Sequence, residues 1–201
     1  MRGVIEALGQ LIERGGYAGI LLLTFVETIF PPLPSELFMP MAGFVAARGP
    51  LTLPGVIACG TLGSLAGAWF WYALGRAIGL ERMKQLATDH GRWLTLHPDD
   101  IDRGARWFAD HGGGVVLFGR MVPAIRSVVS IPAGIAHMPT GRFLALSGLG
   151  SLIWTSLLMT AGYKLGEDYE KVAAWAAPVS NIVVALLVTG YLWRLATFKP
   201  R

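Results

Sequence analysis

Charged residues and cysteine are both scarce in this chain of 201 residues. A single cysteine, Cys59, excludes an intrachain disulfide, and its apolar surroundings suggest a small packing residue. Only 15% of the residues are charged and 53% are hydrophobic, which excludes an ordinary soluble domain and favours an integral membrane protein. The net charge of +4 is small and spread along the chain. We interpret it as loop charge facing anionic lipid, and we expect no nucleic-acid partner.

Histidine is also rare, and a cleavable leader is not evident. A histidine-based lipid phosphatase needs a nucleophilic histidine and a second histidine, and no histidine here lies in a motif like Pro-Ser-Gly-His. The histidines are His90, His97, His111 and His137. We therefore expect a protein that is not an enzyme, with no catalytic residues, bound metal or cofactor. Glu6 and Glu13 interrupt the apolar N-terminal stretch, so we expect no removal of a signal sequence.

Long apolar segments dominate the chain instead. Three of them exceed the roughly 20 residues that a helix needs to cross a bilayer. They are residues 54–75, 143–163 and 172–193. The 26 glycines and 7 tryptophans fit this assignment, because membrane helices use glycine for close packing and tryptophan at the interface. We predict an all-α integral membrane protein with about three full transmembrane helices.

A further apolar region, residues 15–47, is interrupted by two acids, Glu27 and Glu36. The prolines between them are Pro31, Pro32 and Pro34. A carboxylate at the bilayer centre costs about 2.5–3.5 kcal/mol, and proline prevents a continuous helix. Broken backbone at membrane depth is tolerated only where protein or a water-filled cavity surrounds it. The region therefore predicts a re-entrant hairpin with two acids as candidate functional groups.

Residues 112–141 form a second broken apolar region. It contains Arg120 and Arg126, with the prolines Pro123 and Pro132 close by. If the backbone breaks at Pro123, both guanidinium groups can face one cavity. Because arginine binds phosphate bidentately and stays protonated, a hydrophobic cavity with two arginines suits an anionic lipid headgroup. We predict a second re-entrant hairpin that binds such a headgroup.

Both charge clusters also have a purely structural interpretation. The glutamates could neutralise the arginines and lock the hairpins together, and Glu36 could cap the helix that follows Pro34. The functional interpretation of Glu27 and Glu36 is proton coupling. Burial favours the neutral acid and a nearby arginine favours the carboxylate, so a ligand phosphate that occupies the arginine promotes proton uptake. The two interpretations are compatible, because a phosphate could displace a carboxylate.

The two halves of the chain share short motifs in the same order. Leu62-Gly63-Ser64-Leu65 matches Leu149-Gly150-Ser151-Leu152, and Ala42-Gly43 matches Ala133-Gly134. Each half also begins with a short charged helix that we expect to end at a Gly-Gly pair, at 15–16 and at 112–113. We interpret the shared order as an internal duplication.

Loop charges predict how the halves are oriented. Basic residues in 81–110 and in the C-terminal tail place both in the cytoplasm, and the acidic loop 164–171 lies outside. The first hairpin then enters from outside and the second from the cytoplasm, which is the inverted repeat of secondary transporters. The N-terminal helix could lie flat on the outer surface or be held differently.

These predictions divide the chain into parts of a single membrane domain, 1–201. The parts are repeat half one at about 1–80, a cytoplasmic amphipathic linker at about 81–111, repeat half two at about 112–167 and a C-terminal transmembrane helix at about 172–195.

Taken together, these residues resemble the DedA family of bacterial membrane proteins, also called the SNARE-associated or VTT-domain family. The matching motifs run from about Gly16 to Gly166, which is most of the chain. They are Glu27-x3-Pro31-Pro32-x-Pro34-Ser35-Glu36, Gly75-Arg76-x2-Gly79, Phe118-Gly119-Arg120-x2-Pro123-x2-Arg126, Pro132-Ala133-Gly134, and Trp154 followed by Gly162-Tyr163-x2-Gly166. Many members have aspartate at the second acidic position, so the carboxyl of Glu36 reaches one methylene further.

The resemblance implies two opposed re-entrant hairpins and lipid translocation in the bacterial inner membrane. Bacterial members are implicated in recycling undecaprenyl phosphate and moving phosphatidylethanolamine, with dependence on proton or sodium gradients. The family's functional acids match Glu27 and Glu36, and its functional arginines match Arg120 and Arg126. Ser35, in the same motif as the acids, is a further candidate for substrate binding.

We therefore expect a transporter of a phosphate-bearing lipid. Its partners are membrane lipids with anionic phosphate headgroups and protons or Na⁺, and assembly as a homo-oligomer is left open. The alternative is a membrane-homeostasis or assembly factor without a lipid substrate of its own.

Overall fold

The computed structural model describes residues 2–30, 35–49, 51–94, 98–122, 125–126, 128–165, 189–190 and 193. Over these residues the secondary structure consists of helices and turns and includes no strand, which confirms the all-α prediction. The helices are α1 (Arg2–Ile29), α2 (Ser35–Arg48), α3 (Leu53–Leu94), α4 (Pro98–Gly119), α5 (Ser130–Ile135) and α6 (Thr140–Leu165).

Two of these helices are long and apolar enough to cross a membrane. They are α3, over Leu53–Gln85, and α6, over Thr140–Leu165, and they match two of the three predicted spans. The third predicted span, 172–193, lies outside the described residues apart from three of its positions. Helix α3 extends well past its apolar part and continues as helix to Leu94, into the predicted cytoplasmic linker. Gly79, inside α3, has a φ of 69°, a left-handed conformation that interrupts the regular helix between its apolar part and the part that continues to Leu94.

The two Gly-Gly pairs behave differently. Helix α1 is kinked at Gly16, whose φ of 54° and ψ of −134° are accessible to glycine and strained for other residues. The kink separates the charged N-terminal turns from the apolar part of α1. The expectation that a helix also ends at 112–113 is wrong, because α4 continues without a break to Gly119. Glycine in a helix interior lowers stability without ending the helix when packing holds the segment.

The second broken region is interrupted between Gly119 and Ser130. The described residues of this segment form turns, in which the N–H of Arg126 donates to the carbonyl of Val122 at 3.0 Å. Pro132 lies in the first turn of α5, where proline is tolerated, so it begins the helix after the break and does not make the break. The other predicted break residues lie outside the described residues: Pro31, Pro32, Pro34 and Pro123.

Helix α2 packs directly on α6. A Cβ atom added to Gly43 would collide with the backbone of Met159, and one added to Gly162 would collide with the backbone of Pro40. Only glycine at these two positions lets the helix backbones approach so closely. Apolar side chains such as Phe38 are buried around this contact.

Helix α5 packs on α3 in a similar way. A Cβ atom added to Gly134 would collide with the carbonyl of Tyr72, and one added to Gly75 would collide with the backbone of Ile131. The ring of Tyr72 stacks on Phe143 with the ring centroids 4.3 Å apart. Each short helix is thus held in backbone contact with a long helix.

Candidate functional site

A buried ion pair joins the two halves of the chain. Glu27, near the end of α1, is 2% exposed, and Arg126, in the turns between α4 and α5, is 4% exposed. The Nη2 atom of Arg126 contacts Oε1 of Glu27. Removing one partner of such a pair leaves an uncompensated buried charge, which costs about 3–5 kcal/mol. The pair therefore constrains α1 and the break after α4 to one relative position.

Arg120, the first residue after α4, is 1% exposed and lies beside the ion pair. Its Nη1 atom donates to the carbonyl of Arg126 at 2.8 Å, and its Nη2 atom donates to the carbonyl of Ser64, in α3, at 3.3 Å. No carboxylate contacts Arg120 among the described side chains. Its charge is therefore stabilised there by carbonyl dipoles.

The site has unused hydrogen-bonding capacity. Within the described part of the chain, Oε2 of Glu27 and Nε of Arg120 are buried and have no hydrogen-bond partner. Buried polar atoms are nearly always paired, so such exceptions require an explanation such as water, an ion or a ligand. An acceptor and a charged donor are thus available on two side chains that both contact Arg126.

Hydroxyl groups from three helices line the same region. Thr28 Oγ1 donates to the carbonyl of Thr24 at 2.8 Å and lies 3.4 Å from Ser64 Oγ, which is 3.4 Å from Ser151 Oγ. On α6, Thr155 Oγ1 donates to the carbonyl of Ser151 at 2.8 Å. All five side chains are buried. The polar cluster thus extends from the charged residues across α3 to α6.

These hydroxyl residues were not predicted as site residues, although Ser64 and Ser151 belong to the motif shared by the two halves. Their signal is a four-residue spacing of Ser or Thr on one face of an apolar helix, as in Thr24 and Thr28 or in Ser147, Ser151 and Thr155. The same spacing is common in membrane helices, because a Ser or Thr hydroxyl can bond to the preceding turn. The pattern alone therefore does not separate a polar pathway from ordinary helix packing.

The structure gives less information on the other residues that the sequence singled out. Ser35 and Glu36 form the start of α2, and their side chains are outside the described part of the structure. Arg76, which belongs to the Gly75-Arg76-x2-Gly79 motif, is hydrogen-bonded to other groups of the protein. Its Nη1 atom donates to Tyr72 Oη at 2.7 Å and to the carbonyl of Met138 at 3.3 Å. The structure thus brings together Glu27, Arg120 and Arg126.

Comparison with known proteins identifies the family. The VTT domain model matches residues 33–164, which is more than half of the chain and includes both arginines. The chain belongs to the VTT-domain, or DedA, family. The family assignment made from the motifs is thereby confirmed. No solved structure matches this chain.

The relatives include proteins with different names. An "Alkaline phosphatase-like protein" of Lactococcus lactis subsp. cremoris is 37% identical over 98% of this chain and 92% of its own length. "Undecaprenyl phosphate transporter A" of Bacillus subtilis is 32% identical over 99% of this chain and 100% of its own length. "Inner membrane protein YqjA" of Escherichia coli is 28% identical over 75% of this chain and 68% of its own length. With the apolar helices, these matches place the chain in the bacterial inner membrane as predicted.

Proposed function

We propose that this DedA-family protein transports a phosphate-bearing lipid across the inner membrane, with undecaprenyl phosphate or a phospholipid such as phosphatidylethanolamine as the cargo. The observation that carries the proposal is the buried cluster of Glu27, Arg126 and Arg120 in the middle of a membrane protein. The printed name of the Bacillus subtilis relative, a transporter of undecaprenyl phosphate, supports the choice of cargo.

The charges of the cluster favour a phosphate ligand. Among the described side chains, the cluster contains two guanidinium groups and one carboxylate, which contacts Arg126 alone, so the described cluster carries an excess of positive charge. A phosphate that entered it would accept hydrogen bonds from Arg126 and from the unpaired Nε of Arg120. Ser35 and Glu36, at the start of α2, are proposed as further contacts of the headgroup and of the coupling ion.

We further propose that repeat half one (about 1–80) and repeat half two (about 112–167) form an inverted repeat with two opposed re-entrant hairpins. Contacts at matching positions support this proposal. Gly43 packs on Met159 as Gly134 packs on Tyr72, and in each pair the glycine belongs to the short helix. The matched motif residues Ser64 and Ser151, 87 positions apart, contact each other, as expected for residues beside a pseudo-two-fold axis.

Proton coupling follows from the ion pair under this proposal. When a lipid phosphate binds the guanidinium of Arg126, the carboxylate of Glu27 loses its cationic partner in a buried site. An unpaired buried charge is costly, so the carboxylate takes up a proton. When the lipid leaves, the pair re-forms and the proton is released. A sodium ion that neutralises the same carboxylate would couple transport in the same way.

An enzyme is the competing proposal, because the Lactococcus lactis relative is named alkaline phosphatase-like. Metal-dependent hydrolysis needs a cluster of His, Cys, Asp or Glu ligands. The described residues contain no group of three or more such side chains that could hold a metal ion. The geometry of the cluster suits binding of a phosphate better than attack on it, and we propose that the protein is not an enzyme.

Reconstitution tests the proposal. The full-length protein is placed in liposomes with fluorescently labelled undecaprenyl phosphate or phosphatidylethanolamine, and the lipid that reaches the opposite leaflet is measured by a quencher that does not cross the membrane. We expect transport of at least one lipid in the wild type, and a loss of about tenfold or more in Arg126→Gln, equivalent to about 1.4 kcal/mol. The exposed Arg82→Gln variant is the matched control and should transport normally.

Three results would each contradict part of the proposal. Equal transport by Arg126→Gln and the wild type would show that transport does not depend on the cluster. Absence of transport of both lipids by folded wild-type protein would favour the assembly-factor alternative. Release of inorganic phosphate from undecaprenyl phosphate, a phosphomonoester, would instead support the enzyme.

A further inference from the structure

Two cavities lie away from the buried cluster. The first, of about 470 Å³, lies between the kink of α1 and the end of α2, and we call it the α1–α2 cavity. Arg14 and Arg48 line it, together with Phe44 and Leu51. The guanidinium carbon of Arg48 lies 4.6 Å from the centroid of the Phe44 ring. Both arginine side chains line the cavity and are exposed.

The second cavity, of about 210 Å³, lies between α4 and the start of α6, and we call it the α4–α6 cavity. Arg142 and His137 line it, together with Met138 and Gly113. A Cβ atom at Gly113 would come within 2.8 Å of Nη2 of Arg142, so the guanidinium lies directly over this glycine. This cavity too combines a cationic side chain with an apolar wall.

The two cavities lie at opposite ends of the membrane-crossing part of α3. Leu51, in the α1–α2 cavity, comes two residues before α3 begins at Leu53. Arg76 and Tyr72 of α3 both donate to the carbonyl of Met138, which lines the α4–α6 cavity. The segment from Leu53 to Arg76 is about 35 Å long at 1.5 Å per residue, close to the roughly 30 Å thickness of the bilayer core.

The buried cluster lies between the cavities. Arg120 donates to the carbonyl of Ser64, which is about 17 Å from either end of this segment of α3. Three cationic positions therefore follow one another along α3, one at each end and one in the middle. The cavities also occupy corresponding places in the two halves, because each lies where a Gly-Gly pair meets the end of a short helix.

We propose that each end cavity is a docking site for the phosphate of an anionic lipid, one at each face of the membrane, from which the headgroup reaches the central arginines. This inference rests on the proposed lipid transport and adds two binding sites to it. Guanidinium groups bind phosphate in a bidentate way, and Arg14, Arg48 and Arg142 supply them. The apolar walls accommodate the adjoining part of the lipid.

Photo-crosslinking of the full-length protein in phosphatidylcholine nanodiscs tests this inference. Benzoylphenylalanine at position 51 reports on the α1–α2 cavity, and at position 109 on the α4–α6 cavity, which Ala109 lines. The probe is farnesyl phosphate, and its uncharged analogue farnesol is the reference. We expect farnesyl phosphate to crosslink at both positions at least about tenfold more than farnesol, equivalent to about 1.4 kcal/mol.

Single substitutions then test which arginine binds the phosphate in each cavity. Arg14→Gln should reduce crosslinking at position 51 and leave position 109 unchanged, and Arg142→Gln should have the opposite effect. Arg82→Gln, outside both cavities, should change neither. Equal crosslinking by farnesyl phosphate and farnesol, or no effect of either substitution, would overturn the inference. Complete competition by equimolar inorganic phosphate would also overturn it, because the sites would then bind the free ion and not the lipid.

The variant Arg126→Gln separates this inference from the proposed function. It should lose transport and keep both crosslinks, because Arg126 lines neither cavity. If it transports normally and keeps both crosslinks, the central site is wrong and the end cavities stand. If transport requires Arg126 but neither cavity crosslinks the probe in the wild type, the proposed function stands and the end cavities are wrong.

Discussion

At the scale of single residues, the contact between Glu27 and Arg126 is the feature that most needs an explanation. Both side chains are almost fully buried, and a buried ion pair is often no more stable than apolar residues of the same volume. Its presence is therefore weak support for a purely stabilising role. Two atoms of the cluster, Glu27 Oε2 and Arg120 Nε, are also unpaired in the described part of the structure. A site that exchanges its partners during transport accounts for both observations.

The first prediction concerns how much the contact between Glu27 and Arg126 contributes to the free energy of unfolding. Glu27→Gln and Arg126→Gln should each lower the free energy of unfolding by about 3–5 kcal/mol, because each leaves a buried charge without its partner. The double variant should lose less than the sum of the two. The measurement is a double-mutant cycle by denaturant unfolding in detergent, and additive effects would show that the two side chains are not coupled.

An exposed pair provides the control for this cycle. Lys84 lies 2.7 Å from Asp102, with the two side chains 26% and 33% exposed. Replacing Lys84 by Met should cost no more than about 1 kcal/mol, because solvent screens a partly exposed ion pair.

The second prediction concerns the shape of the arginine group. Arg126→Lys keeps the positive charge and should still reduce lipid transport by about tenfold, because an ammonium group lacks the planar fork that binds a phosphate bidentately. Transport in liposomes is the measurement, with Arg82→Lys as the matched control. Equal transport and lipid affinity in Arg126→Lys would argue against phosphate recognition at this residue.

The sequence predicted part of this site. An acid in one apolar region and arginines in another had to find partners, because an unpaired charge is costly inside a membrane. The sequence did not determine which arginine contacts Glu27, since Arg120 and Arg126 are six residues apart and either could reach it. The turns between α4 and α5 determine which arginine contacts Glu27. There Arg120 donates a hydrogen bond to the carbonyl of Arg126, and the guanidinium of Arg126 contacts the acid.

At the scale of helices, close backbone contacts position the site. Helix α5 has only six residues and α2 has a proline, Pro40, in its interior, so neither is a stable helix in isolation. Their contacts with α3 and α6, made through Gly134 and Gly43, hold them in place. A displacement of α5 would move the turns that precede it, which hold Arg126.

The third prediction tests these contacts. Gly43→Ala and Gly134→Ala should each lower the free energy of unfolding by about 1–3 kcal/mol, because the added methyl group collides with helix backbone. Gly104→Ala is the matched control, since a Cβ atom at Gly104 meets no atom within 4 Å. Alanine in that exposed part of α4 should leave stability unchanged or raise it. Equal stability of all three variants would contradict the packing of α2 on α6 and of α5 on α3.

The sequence predicted which segments form helices better than it predicted where those helices end. Hydrophobic length identified α3 and α6, because no other kind of segment stays apolar over a bilayer thickness. It did not predict that α3 continues to Leu94, since the charged residues after Glu81 end the apolar run but are good helix formers. It also did not predict that α4 passes through Gly112 and Gly113, because the neighbouring packing overrides the low helix propensity of glycine.

At the scale of the whole molecule, orientation in the membrane decides which cavity faces which side. The loop charges predict that residues 81–110 are cytoplasmic and that the kink of α1 faces outward. The fourth prediction tests this arrangement in cells, on a Cys59→Ala background. Arg103→Cys should resist a membrane-impermeant maleimide in intact cells and react after permeabilisation. Gly15→Cys should react in intact cells, and the reverse pattern would invert the predicted topology.

The last prediction links lipid movement to proton movement. In Glu27→Gln the side chain is permanently uncharged, as in the protonated acid, so Arg126 stays available to the phosphate. The variant should therefore keep lipid binding and lose the acceleration of transport that a pH gradient produces in the wild type. Transport is measured in liposomes with and without a gradient, and Glu81→Gln, whose parent side chain is 81% exposed, is the control that should keep the response.

Each outcome of this experiment has one physical meaning. Loss of the response together with retained binding makes Glu27 the group that exchanges its partner between Arg126 and a proton, because nothing else changed in the buried pair. Retention of the full response would make Glu27 a fixed counter-ion and place the coupling at another acid, of which Glu36 is the next candidate. A response that follows a sodium gradient in the wild type and disappears in Glu27→Gln would keep the same carboxylate and change the ion, because Na⁺ neutralises a buried carboxylate as a proton does.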